Sequence, residues 1–289
     1  MKRLLVAALT VSLLLIPSVG TAHAASSSCA DLILFGSNRS GNFDIWSMNP
    51  DGSNVTRLTT DPGSDTQPKC SPDGSKIAFR SDRTGRFQVW VMDADGTDLR
   101  NLSGNAHSEG GACWKPDGSA LAFRSDKGGN NNIWYMNNRG GHRVRLTNYA
   151  GEDHAPACGG PGIAFSSDRS GNFDIWTMNW FGTAQTQITT NPALDDESAW
   201  SNDSSSIAFR SNRTGLGDIF VMAEGGADQT RITTDPLTDA TPYWSPDDSQ
   251  MTFSTNRDGN YEVYVMDANG DNQTNLTNDD STDAVSSWR

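Results

Sequence analysis

Phenylalanine recurs in this chain at Phe35, Phe79, Phe123, Phe165, Phe209 and Phe253, in steps of 44, 44, 42, 44 and 44 residues. No other feature restricts the fold so strongly. A period in the low forties is the length of one four-stranded propeller blade. Six units of this size account for nearly the whole chain after its first two dozen residues.

Each unit reads as strands and turns. "KIAFRS" places Ile77 and Phe79 on one face and Ala78 on the other, the alternation of a strand. A basic residue follows (Arg39, Arg83, Lys127, Arg169, Arg213, Arg257), then a glycine. A second strand pairs Ile or Val with an aromatic, as in Ile45-Trp46 and Val263-Tyr264, and ends near a methionine: Met48, Met92, Met136, Met178, Met222 or Met266. Four residues on, a glycine closes a hairpin, since glycine adopts positive φ at no steric cost. A short third strand ends in pairs such as Leu58-Thr59. A fourth carries Cys70, Trp114, Cys158, Trp200, Trp244 or Trp288 ahead of a turn such as "SPDG". Aromatic and methionine residues repeated in every unit are core, because stacked blades need apolar side chains on both faces.

The two ends are complementary. The sequence ends one residue past Trp288, with no Phe-bearing strand to follow, while the first unit starts with that strand, Leu32 to Phe35. The expected fold is therefore all-β, a six-bladed β-propeller of four-stranded antiparallel blades over 25–289, closed by the C-terminal strand pairing with the N-terminal strands.

The combination "SPDGSKIAFRSDRTG…VWVMDADGTDLRNLS" resembles the repeat of TolB-type propellers, relatives of the WD-repeat propellers, and the likeness covers all six units. TolB itself carries a separate α/β domain ahead of its propeller. Here only Ala25 to Asp31 lie between the leader and the first strand, so the resemblance implies the propeller alone.

The leader is residues 1–24: Lys2-Arg3, an apolar run from Leu4 to Val19, and Ala22-His23-Ala24 as a small-residue cleavage site. This pattern predicts a cleaved secretory signal peptide and a secreted or periplasmic protein without membrane insertion. Removing it leaves 20 basic against 35 acidic residues, a net charge of −15. A polyanion gains nothing from counterion release, so nucleic acid is excluded as a partner, and proteins, glycans or cations are favoured. Nine Trp and eleven Phe supply a core despite the low apolar fraction, and the expected state is a monomer.

Four cysteines in an exported chain allow three pairings. Cys29 lies in the first unit, Cys70 in the second, Cys113 in the third and Cys158 in the fourth. Joining Cys29 to Cys158 or to Cys113 would cross or skip blades, beyond the roughly 7 Å Cα limit of a disulfide. Cys29–Cys70 and Cys113–Cys158 join neighbours and are the expected bridges.

Because identical positions mean scaffold, function belongs with residues that the units do not share. The glycine hairpins and the "SPDG" turns lie on one face of the propeller, and the loops entering the innermost strands on the other. On the second face each unit has an acid: Asp65, Glu109, Asp153, Asp195, Asp239 and Asp283. A channel-mouth ring of this kind could hold a hard cation such as calcium, or be used in salt bridges with the basic residue of each unit. Within it His107, Glu109, Asp153 and His154 form an asymmetric cluster that could bind Zn, Mn or Ca, though surface histidines are common. "AHSEG" at 106–110 lacks the strand-to-helix context of a nucleophile elbow. Finally, "MNWFG" places Trp180-Phe181 at a hairpin tip where other units carry small, polar or charged residues. Such a pair suggests a partner anchor or a sugar-stacking platform, or else packs back over blade four. The sequence thus points to a non-catalytic protein- or glycan-binding scaffold with no firm cofactor. Two alternatives are a metal-assisted carbohydrate-active enzyme, similar to the polysaccharide lyases built on related propellers, and an accessory propeller for a separate peptidase.

Overall fold

Each phenylalanine does sit in a strand, and that strand is second of four in an antiparallel sheet. In the second blade the strands pair in the order Asp65–Cys70, Lys76–Ser81, Gln88–Asp93, Arg100–Asn101, from the axis outward. The computed structural model describes residues 27–288, so the expected leader at 1–24 lies outside the described residues. The described chain contains six such sheets and no helix. Their inner strands adjoin one another in a ring, the six-bladed propeller that the repeat predicts.

The core is divided among six seams between blades. Between the second and third blades, Ala78, Val89 and Val91 meet Leu121, Phe123 and Met136. Between the third and fourth, Ala122 and Ile133 meet Ile163, Phe165 and Met178. All six repeated phenylalanines are fully or almost fully buried, and each contributes about 1.5–3 kcal/mol. The glycine hairpins tighten the same seams. Gly96 has φ +88°, and a Cβ there would lie 2.7 Å from the Leu58 carbonyl oxygen of the preceding blade. Both the turn and the close approach require glycine.

Closure takes the expected form. Asp283–Trp288 pairs antiparallel with Ile33–Ser37, in the register Ile33↔Trp288 to Ser37↔Asp283, as the innermost strand of the first blade. With this strand in place the first blade, like the other five, has four strands. Both expected disulfides are present. Cys29–Cys70, with Cα atoms 5.8 Å apart, ties the segment ahead of the first strand to blade two, and Cys113–Cys158, 5.5 Å apart, joins blades three and four.

Every inner strand carries a β-bulge. In blade two Thr66 pairs with Arg80 and Lys69 with Ala78, so Gln67 and Pro68 together face Phe79. The first bulge residue is left-handed in five blades: Gln67, Gly111, Ala155, Glu197 and Thr241 have φ between 49° and 59°. This conformation is uncommon for non-glycine residues and is an outlier for a β-branched threonine. Proline follows it at Pro68, Pro156 and Pro242, where the interrupted ladder asks for no amide donor. The bulges turn these residues toward the axis.

Candidate functional site

The repeated acids do not open onto the channel. Asp65, Asp153, Asp195, Asp239 and Asp283 are fully buried within their blades, and each is held by its own blade's arginine at 2.7–3.0 Å. The arginine also lies over the phenylalanine and outer aromatic of its blade. Arg213 is 5.5 Å from the Phe209 ring centroid and 4.6 Å from that of Phe220, and it donates to Ser211 and Gln229. Blade three has Lys127 instead, placed over Trp134. Its acid, Glu109, accepts from Asn105 at 2.7 Å and Ser125 at 3.1 Å. Burial raises the carboxyl pKa of Asp65, Asp195, Asp239 and Asp283 above the ordinary value, with neighbouring Ser or Thr hydroxyls and the Arg pulling it back. These side chains are internal struts of the blades, engaged in the salt bridges that the sequence offered as the alternative to a cation ring.

The His107, Glu109, Asp153 and His154 set is likewise dispersed. His107 is partly exposed, with Nδ1 3.5 Å from Asp126. Glu109 and Asp153 are engaged as described. His154 packs its ring on Phe173, centroids 4.5 Å apart, and burial holds its pKa below the usual histidine value. Among the described residues no group of three or more His, Cys, Asp and Glu side chains is placed to hold a metal ion.

What the bulges build is a channel cavity of about 460 Å³, lined by inner-strand residues of all six blades. Two walls are tied by the same device. Gln67 Oε1 accepts from the Gly111 amide of the next blade at 3.0 Å, and Glu197 Oε2 from the Thr241 amide at 3.0 Å. Lys69 lies with Nζ 3.5 Å from the centroid of Tyr243, so blades two and six touch across the bore. Burial lowers the Lys69 pKa well below its ordinary value and raises those of Tyr243 and Glu197. Asp196 accepts from Arg210 through both oxygens, at 2.7 and 2.6 Å. Lys69, Arg80, Arg124, Asp196, Glu197 and Arg210 are the charged residues that the loop-centred sequence reading missed. The available signal was the position after each phenylalanine, which is arginine in only three units: Arg80, Arg124 and Arg210.

On the opposite face the aromatic pair is split. Phe181 is 85% exposed at its hairpin tip. Trp180 is half-buried against the seam of blades three and four, with Lys115 Nζ 6.0 Å from its ring centroid. Position 180 is therefore not a free tip. Its counterparts Ala94 and Ala268 also pack on their seams, and Ala94 is only 4% exposed.

Residues 30–132 match the model of the Tricorn protease N-terminal β-propeller domain, and residues 141–241 match that of the TolB β-propeller domain. No curated protein sequence matches the chain. Among solved structures, a protein of Agrobacterium tumefaciens assigned as TolB is similar at TM-score 0.70 and 20% identity, over 88% of this chain and 96% of its own. TolB from Acinetobacter baumannii aligns at TM-score 0.75 and 18% identity, covering 89% of this chain and 67% of its own. Oligogalacturonate lyase from Vibrio parahaemolyticus is more distant, at TM-score 0.57 and 12% identity over 87% and 76% of the two chains. Blade count, strand order and the two matched propeller models agree on the fold, a six-bladed β-propeller of TolB-like repeats.

Proposed function

We propose that this chain is an exported, non-catalytic docking module that holds a protein partner on its glycine-hairpin face, with Phe181 as the anchor. The two interblade disulfides support an extracytoplasmic location, because such bonds persist in oxidising compartments. The leader read at 1–24 supports export to the periplasm or medium.

The observation that carries the reading is Phe181 itself, 85% exposed on a rigid hairpin. The Asn179 amide bonds Thr183 O at 3.0 Å, and Asn179 Oδ1 accepts from the Phe181 and Thr183 amides. An aromatic ring held in place this way loses little entropy on docking, which is how interface anchors gain affinity. A sugar platform needs a broad open ring face, and the larger ring of the pair is half-buried, so a protein partner fits better than a glycan. The lyase reading has less support: the likeness to oligogalacturonate lyase is one of fold, and the four residues it would need do not converge.

A photo-crosslinking residue at position 181 tests this in the native compartment, with the matching hairpin position Asp95 as control. Position 181 should give a discrete protein adduct that position 95 lacks. Adducts equal at both positions, or none at 181, would refute the assignment, and retention on a glycan array lost by Phe181→Ser would transfer it to sugars.

A further inference from the structure

The position after the repeated phenylalanine faces the second residue of the inner strand. In blade five these partners are Arg210 and Asp196, joined through two hydrogen bonds. Blades two and three have the arginine without the acid. Arg80 faces Thr66, and Arg124 faces Gly110.

The two arginines are neighbours. A Cβ on Gly110 would lie 2.5 Å from Arg80 Cδ, so the Arg80 side chain crosses the very residue that is in register with Arg124. Arg80 is stacked 3.4 Å from the Phe87 centroid, which fixes its plane, and Arg124 lines the channel cavity. The Nε atoms of both are buried without a hydrogen-bond partner. Among the described residues neither forms an ion pair within 4.0 Å, although eleven other Lys and Arg residues do. Asp82, Asp126 and Glu152 lie close enough for their charge to be felt, but they accept from Ser64, Ser108 and Asn131 respectively. The two guanidinium groups thus lie near each other with no acid bonded to either. Buried cations without partners are costly, and the planar fork of arginine matches a carboxylate.

We propose that Arg80 and Arg124 form a carboxylate-binding site at the channel mouth, a ligand's carboxylate taking there the place that Asp196 takes beside Arg210. The missing side chain at Gly110 lets Arg80 lie beside Arg124, and the cavity of about 460 Å³ that Arg124 lines admits the rest of a small organic acid. Burial, together with the charge of Arg124, pushes the Arg80 pKa down to about 10. A carboxylate suits this partly desolvated mouth better than a phosphate dianion, which loses more hydration on entry. The site lies on the face opposite Phe181 and is independent of it.

Isothermal titration with succinate at fixed ionic strength, repeated with phosphate, tests the site. Saturable succinate binding is expected, weakened about tenfold or more by Arg80→Gln with Arg124→Gln, and unchanged by Phe181→Ser. Thr66→Asp supplies a carboxylate in register with Arg80; it should raise the unfolding temperature and compete with succinate, and it decides the matter should the double variant not fold. The proposal is overturned by absent succinate binding, by binding unaffected in the arginine or Thr66→Asp variants, or by a site that takes phosphate and not succinate.

Discussion

Replacing Arg213 with methionine isolates the strut that each blade builds around its inner-strand acid. The substitution keeps an apolar stem over Phe209 and Phe220 but removes the 2.8 Å bond to Asp195, whose side chain is wholly buried. An unpaired carboxylate sealed in a blade costs about 3–5 kcal/mol at neutral pH, and in a chain of this size that lowers the unfolding temperature by roughly 10 °C. The pH dependence identifies the cause. Burial already raises the Asp195 pKa, and Arg213 is among the groups opposing the rise, so the variant's carboxyl titrates higher still. Between the unfolded value of about 3.9 and that raised value, the folded variant holds a proton that the unfolded chain has lost. Variant stability must therefore fall as pH rises through this window, and its deficit against the parent should be largest at pH 7 and shrink toward pH 4. Urea unfolding followed by tryptophan fluorescence at several pH values measures this. Arg213→Met combined with Asp195→Asn should remove the pH dependence. A deficit below about 1 kcal/mol at pH 7, the value of an exposed ion pair, or one that does not change with pH, would refute the sealed-strut account and return the acids to channel water.

Two further outcomes follow from the same geometry. Trp180→Ala should cost about 1–2 kcal/mol, since it removes a half-buried ring from the seam of blades three and four, whereas Phe181→Ser should change stability by less than about 0.5 kcal/mol; equal losses in thermal unfolding would mean that the two rings act as one unit. Replacing Cys29 and Cys70 with serine opens a loop of 41 residues and should cost about 4 kcal/mol by the loop-closure relation, read as the shift in denaturant midpoint under oxidising conditions.

Blade number, closure and disulfide pairing were all readable because repetition averages out local ambiguity. Phe79 alone says little, but six phenylalanines in one register dictate strand, seam and spacing, and the cysteines can then be placed by blade. The channel was harder to read. Asp195 looks like a mouth residue from its loop position, yet its burial depends on an arginine eighteen residues later folding back over the strand. Trp180 looks like a free tip until Ala94 is seen to pack in the same register. Arg80 and Arg124 sit inside the conserved-looking "AFRS" string, and only their inner-strand partners, Thr66 and Gly110 instead of an aspartate, set them apart from Arg210. That contrast joins residues fourteen apart across a bulge, beyond the reach of a reading made unit by unit.

The seal between Asp283–Trp288 and Ile33–Ser37 also governs how the ring comes together. Arg39 and Asp283, partners in the first blade's strut, are 244 residues apart, while every other blade draws its four strands from one contiguous stretch. Five wedges can assemble locally, in the order in which the polypeptide emerges, but the sixth must wait for the last strand, and the entropy of bringing such distant segments together falls on that single step. Until then the blade-one strands present a bare hydrogen-bonding edge, and the Cys29–Cys70 bond can hold them against blade two through the delay.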